Sequence, residues 1–170
     1  IEDYTKSIEL NPNNSSVYID RGLTKSGLGD YSGALEDHNK AVELSSNNAS
    51  AYLSRGITKR GLGDFKSAIE DFDKAIELTP NLFQAHYNRG SAKSELGDYT
   101  GAIEDFNIAV ELYPNDADAY YKRAFTKIAL CDYRGAIEDS KMSIELNPNN
   151  SASYYNSGYS KAELGDYEGA

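Results

Sequence analysis

The sequence predicts an all-α solenoid of antiparallel helix–turn–helix repeats, open at both ends. Three observations predict it. The chain aligns on itself at a constant period of 34 residues with no insertion or deletion, copies beginning at Ser15, Ala49, Phe83, Ala117 and Ser151. Within each copy, apolar and small residues recur at helical spacings on both sides of one break, without the alternation of a strand. The break itself is a recurring turn: Leu28-Gly29-Asp30-Tyr31, Leu62-Gly63-Asp64-Phe65, Leu96-Gly97-Asp98-Tyr99, Leu130-Cys131-Asp132-Tyr133 and Leu164-Gly165-Asp166-Tyr167.

Each element follows from its residues. In the first copy Tyr18, Gly22 and Leu28 mark the apolar face of one helix, and Ala34, Leu35, Ala41, Val42 and Leu44 that of the next. Between them Gly29 can take the left-handed conformation that stops a helix, and Asp30 can accept from the orphan amides that start another. The second helices end at Leu10-Asn11-Pro12, Leu78-Thr79-Pro80, Leu112-Tyr113-Pro114 and Leu146-Asn147-Pro148, where proline cannot continue the helix. Asn14, Asn48, Asp116 and Asn150 then stand where a cap is needed. Leu82 has no capping side chain, so the first helix of the third copy is expected to fray more. Asn14, Asn48 and Asn149 also open Asn-X-Ser sequons, whose simpler explanation is helix capping. Gly22, Gly56, Gly90 and Gly158 share one helical register with Ala124. A glycine there costs about 1 kcal/mol against alanine, so close helix packing must offset it.

On this division, 1–14 is the second helix of a partial repeat, and 15–48, 49–82, 83–116 and 117–150 are whole repeats. Residues 151–170 are a first helix and turn. The start at Ile1 rather than Met, and the join that Ala170 and Ile1 would make inside a second helix, lead us to expect a piece of a longer array. They also suggest head-to-tail stacking of the two unfinished ends.

Composition limits the function. A net charge of −10 and a pI near 4.6 argue against nucleic acid or an anionic membrane surface as partner. No apolar run is long enough to span a bilayer. Cys131 is the one cysteine, so no intrachain disulfide framework exists. A reducing compartment such as the cytoplasm fits.

No catalytic residues, cofactor site or metal site are expected. His38 and His86 fall where aromatic residues pack in sister copies, with no companion at ligand spacing. Cys131, beside Asp132, reads as a replaced turn glycine, and the Gly-Leu-Gly-Asp runs are hairpin turns rather than phosphate loops. The acidic residues repeat with the period, whereas a catalytic pair need occur only once. One charged pattern stands out. Arg21, Arg55, Arg89 and Arg123 lie as far before the turn as Asp37, Asp71, Asp105 and Asp139 lie after it, so each pair should meet across its hairpin as a structural ion pair. The fifth copy has Ser157 in place of arginine and should be pinned less firmly. Lys25, Lys59, Lys93, Lys127 and Lys161 form a second periodic set, expected to pair with the surrounding carboxylates.

The combination of Tyr52, Gly56, Gly63, Asp64, Phe65, Ala68, Phe72, Ala75 and Pro80 resembles the tetratricopeptide repeat (TPR), and the resemblance covers the whole chain. His86, His38, Ser140, Cys131 and Ser46 depart from the pattern locally. The resemblance implies a right-handed superhelix whose first helices line a concave groove, and a non-catalytic scaffold that binds protein or peptide segments. The implied groove residues are Ile19, Leu23, Leu53, Ile57, Tyr87, Asn88, Ser91, Tyr121, Phe125, Tyr155 and Tyr159. This stripe is aliphatic in the first two copies and aromatic from the third. For any single residue in it, packing against the neighbouring copy is the alternative. Some members of the family clamp a C-terminal carboxylate with lysine and asparagine; here Ile19, Leu53, Tyr87 and Tyr121 stand at the first clamp position, so that mode is not expected. Two further possibilities stay open: a self-assembling solenoid, and the interaction arm of a larger enzyme or regulator.

Overall fold

The computed structural model describes residues 1–170 as ten α-helices and no strand. They divide into two compact units, Ile1–Ala92 and Lys93–Ala170. The first unit holds α1 (Glu2–Leu10), α2 (Ser15–Gly27), α3 (Tyr31–Leu44), α4 (Ala49–Gly61), α5 (Phe65–Leu78) and most of α6 (Phe83–Glu95). The second holds the last residues of α6, then α7 (Tyr99–Leu112), α8 (Ala117–Ala129), α9 (Tyr133–Leu146) and α10 (Ser151–Glu163). No helix is long and apolar enough to cross a membrane.

The turns form as their residues dictate. After α2 the Asp30 amide donates to the Lys25 carbonyl and the Gly29 amide to the Ser26 carbonyl, both at 3.0 Å. This pair of hydrogen bonds closes a helix only if the residue at the turn takes positive φ. Gly29, Gly63, Gly97 and Gly165 do so at φ 80° to 83°, and Cys131 does so at 59°. Asp30 then accepts from the Gly33 amide at 2.9 Å, and Asp64, Asp98 and Asp132 repeat the cap at the next three turns. Asn14, Asn48, Asp116 and Asn150 cap α2, α4, α8 and α10. Two of the three sequon asparagines, Asn14 and Asn48, are thus helix caps. Although Leu82 offers no cap, α6 has the same 13 residues as the other first helices and starts from bonds to the Leu82 carbonyl.

In the first unit α2 packs on α1, α3 and α4, and α4 on α3 and α5. In the second α8 packs on α7, α9 and α10, and α9 on α10. The helices approach closely because small residues line their seams. Ala34, Ala68, Ala102 and Ala136 are fully buried. A Cβ on Gly22 would collide with the His38 ring, and one on Gly56 would lie 2.6 Å from the Phe72 ring, so each glycine leaves the space its partner ring fills. In the second unit the same two registers carry Ala124 and Ser140, a larger residue facing the place of a smaller one.

Candidate interaction surface

The first helices are fixed by their charges before they present any surface. Arg21 grips Asp37 through Nε at 2.9 Å and Nη2 at 2.6 Å. Arg55 grips Asp71 at the same distances, and Arg123 grips Asp139 at 2.8 and 2.5 Å. The aspartates are buried and each also receives a lysine: Lys25, Lys59 and Lys127 lie 2.7 to 2.8 Å from Asp37, Asp71 and Asp139, and Lys93 lies 2.8 Å from Asp105. Burial pushes the Asp37 carboxyl up, but hydrogen bonds from Arg21 and Lys25 outweigh it and hold the group below the ordinary carboxylate range. The same bond to Asp37 raises Arg21.

Sequence reasoning missed a second task of these arginines. The free Nη1 of Arg21 reaches back to Thr5 Oγ1 at 3.1 Å, Arg55 to Asn39 at 3.3 Å, Arg89 to Asp73 at 2.6 Å and Arg123 to Asn107 at 2.8 Å. Each therefore ties its helix to the preceding second helix as well. The signal was legible: Thr5, Asn39, Asp73 and Asn107 share one register and all offer a side-chain oxygen. The histidines are also structural parts. His86 Nε2 lies 2.8 Å from the Pro80 carbonyl, as Tyr18 and Tyr52 hydroxyls donate to the Pro12 and Ser46 carbonyls. His38 Nδ1 meets Thr58 Oγ1 at 3.0 Å.

The proposed groove residues do not share one environment. In the first unit Ile19 is buried in a cluster with Tyr18, Ala41 and Ala51, and Leu53 and Ile57 pack against Ala68, Phe72 and Ala92. Leu23 is the exposed aliphatic there. Tyr87 stacks on Phe83 with ring centres 5.9 Å apart. Asn88 and Ser91 are buried, and each donates to the carbonyl one turn back in α6, that of Gln84 at 2.6 Å and Tyr87 at 3.0 Å.

The second unit is different. Phe125, Tyr155 and Tyr159 are 51%, 71% and 39% exposed. With Ile128 and Asn156 they line an open cleft of about 300 Å³ on α8 and α10. Tyr155 and Tyr159 stand one helical turn apart, rings near-parallel with centres 6.3 Å apart, and Tyr133 meets Tyr159 edge-on at 6.3 Å. Tyr121, half-buried, carries the Lys122 ammonium over its ring at 5.6 Å. Such a cleft offers large apolar contact area with hydroxyl edges, the composition of a protein-recognition surface.

Two family models, both described as tetratricopeptide repeat, match residues 3–36 and 53–117, together more than half of the chain. No curated protein matches it. Among solved structures, MamA is 28% identical over 91% of this chain and 84% of its own, with a TM-score of 0.82. YrrB, described as a TPR protein with an unusual peptide-binding site, is 26% identical over 97% of this chain and 85% of its own, with a TM-score of 0.81. A MamA fragment from Desulfovibrio magneticus RS-1, 23% identical over 91% and 87% with a TM-score of 0.83, shares the fold. Matched by these models and built from helix pairs closed by Gly-Asp turns, the chain belongs to the tetratricopeptide-repeat family.

Proposed function

We propose that the chain is a non-catalytic protein-interaction scaffold that takes peptide segments on the apolar face of its first helices. Its whole repeats would be 15–48, 49–82, 83–116 and 117–150. The observation that carries the reading is the cleft of Phe125, Ile128, Tyr155 and Tyr159, because three large rings left this open to water favour an occupant that covers them. The kinship with YrrB supports a peptide as that occupant. In the first unit, Leu23 and the half-buried Leu53 and Ile57 would offer a smaller aliphatic footing. A random peptide library selected on the immobilised chain tests this. Selected peptides should lose at least tenfold in affinity for a Phe125→Ala/Tyr155→Ala variant of unchanged helix content. Equal affinity would refute the site.

A second reading, association between copies, is favoured by one feature of the second unit. Gly22 and Gly56 are filled by His38 and Phe72, whereas a Cβ on Gly158 would meet only the Ala170 backbone, 3.6 Å away. The face beside it carries Ile137, Ile144 and Tyr154 around an open groove. Helix α1 of a second copy, with Tyr4 in the register of His38 and Phe72, is the occupant of matching pattern. Light scattering over a wide concentration range tests it: a strict monomer throughout, or a mass unaltered by Gly158→Leu, would refute this contact.

A further inference from the structure

Four tyrosine rings on the first helices already carry a cation of the chain itself. Arg21 lies over Tyr18 at 5.8 Å, Arg55 over Tyr52 and Arg123 over Tyr120 at 5.5 Å, and Lys122 over Tyr121 at 5.6 Å. Helix α10 breaks the pattern. Ser157 replaces the arginine that in sister copies covers the tyrosine three residues before it, here Tyr154, and Asn156 stands at the register of Lys122. Tyr155, in the register of Tyr121, therefore lacks the lysine that covers that ring, Tyr159 one turn on carries no cation either, and none of the residues lining their cleft is charged.

A carboxylate stands at the rim. Glu163, exposed and one helical turn beyond Tyr159, is close enough to be the main influence holding the Tyr159 phenol above its ordinary pKa. Tyr133 is pushed up to about 12, chiefly by the neighbouring Cys131 thiol and also by Glu163. Both phenols are therefore neutral at physiological pH, and their rings offer an electron-rich face beside a full negative charge. On the cleft wall Asn156 is 3% exposed, and its side-chain Nδ2 has no hydrogen-bond partner, whereas Asn88 at the same register donates to Gln84. A peptide carbonyl would supply the acceptor that Asn156 lacks.

Stacked rings, an adjacent carboxylate, an unpaired buried amide and a chain charge of −10 define one ligand chemistry. We propose that the α8–α10 cleft recognises an arginine side chain of a peptide partner, its guanidinium stacked on Tyr155 and Tyr159 and donating to Glu163. Arginine fits better than lysine because its planar, weakly hydrated head stacks on rings and still presents N–H groups at its edge. The inference rests on the peptide-binding reading and names the residue that reading leaves open.

The test uses a fluorescein-labelled Gly-Ser peptide with a central Leu-Arg-Leu, and its twin with neutral, isosteric citrulline for arginine. Fluorescence anisotropy should show the arginine peptide binding roughly 3- to 30-fold more tightly, the range of one cation–aromatic contact from exposed to desolvated. In a Tyr155→Leu/Tyr159→Leu variant, which keeps an apolar surface, the preference should vanish while citrulline binding persists. Glu163→Gln should reduce the preference and its sensitivity to salt. Equal, measurable binding of both peptides by the unaltered chain would overturn the arginine site and leave the groove standing. If neither peptide binds, nor a third with leucine for arginine, the groove reading fails and the site with it.

Discussion

Arg55 holds Asp71 through two parallel hydrogen bonds, Nε to Oδ2 at 2.9 Å and Nη2 to Oδ1 at 2.6 Å, while its remaining Nη1 reaches Asn39 and its plane lies over Tyr52. One side chain thereby joins α4 to α5 and to α3. Because Asp71 is 3% exposed, removing its guanidinium leaves a buried carboxylate with Lys59 alone. Arg55→Ala should cost about 3 kcal/mol, the scale for stranding one partner of a buried pair. Asp71→Ala should cost a similar amount. The double variant should lose clearly less than the sum, since the second deletion removes the charge the first had stranded. Denaturant melts of all four proteins measure the coupling; strictly additive losses would show that the pair does not pin the hairpin.

His38 makes the first unit sensitive to mild acid. Its ring fills the space over Gly22, and burial lowers its pKa; the nearby Ile19 carbonyl and Asp37 oppose the shift without reversing it. Thr58 Oγ1 donates to the Ser54 carbonyl at 3.1 Å, which puts the proton it shares with His38 on Nδ1 and leaves Nε2 without a hydrogen bond. The folded ring is thus neutral. Above the ordinary histidine value of about 6.5 both folded and unfolded chains are neutral there, and the contribution is complete. As pH falls below that value the unfolded chain takes up a proton that the folded chain resists, so stability declines until the folded pKa is passed. Asp37, held below the ordinary carboxylate range, loses its own contribution only at more acid pH. His38→Phe, which would copy the Gly56–Phe72 fit and leave Thr58 bonded to Ser54, should flatten the slope between about pH 7 and pH 5. An unchanged slope would remove His38 as its source.

The period, the Gly-Asp turns and the proline stops made the helices legible from sequence, because each is a local backbone rule that neighbouring residues satisfy by themselves. The cross-hairpin approach of Arg55 and Asp71 was legible too, since a turn between equal arms dictates which registers meet. The reach of Arg55 to Asn39 was harder: it joins successive hairpins, and no local rule sets their spacing. The surface was least legible. Ile19, Leu53 and Tyr155 stand in one register, yet Ile19 and Leu53 are drawn into packing while Tyr155 is left open. That difference comes from the neighbouring helix, which the register of a single helix does not contain.

Two glycines of the first helices should respond oppositely to alanine. At Gly56 the added methyl would lie 2.6 Å from Phe72, a buried ring with no room to retreat, and overpacking of this kind costs about 1–3 kcal/mol. At Gly27, exposed at the end of α2, nothing lies within 4 Å. Gly27→Ala should therefore stabilise by up to about 1 kcal/mol through helix propensity alone. Thermal melts of the two variants should move in opposite directions. If Gly56→Ala melts no lower than the parent chain, the seam is looser than the contact with Phe72 implies.

Cys131 is the one non-glycine residue at positive φ, in a turn whose four counterparts are all glycine. An L-residue there crowds its Cβ against the backbone and costs roughly 1–2 kcal/mol relative to an unstrained conformation. The Asp132 and Cys131 amides still make the helix-closing bonds to Lys127 and Ile128 at 2.9 Å, so the turn keeps its geometry despite the strain. Cys131→Gly should raise the melting temperature, partly offset by the greater freedom of glycine in the unfolded chain. It also removes the neighbouring thiol that holds the Tyr133 phenol up, so that phenol should titrate at lower pH, read by its ultraviolet absorbance. A lower melting temperature would show that the thiol stabilises the turn by more than its conformation costs.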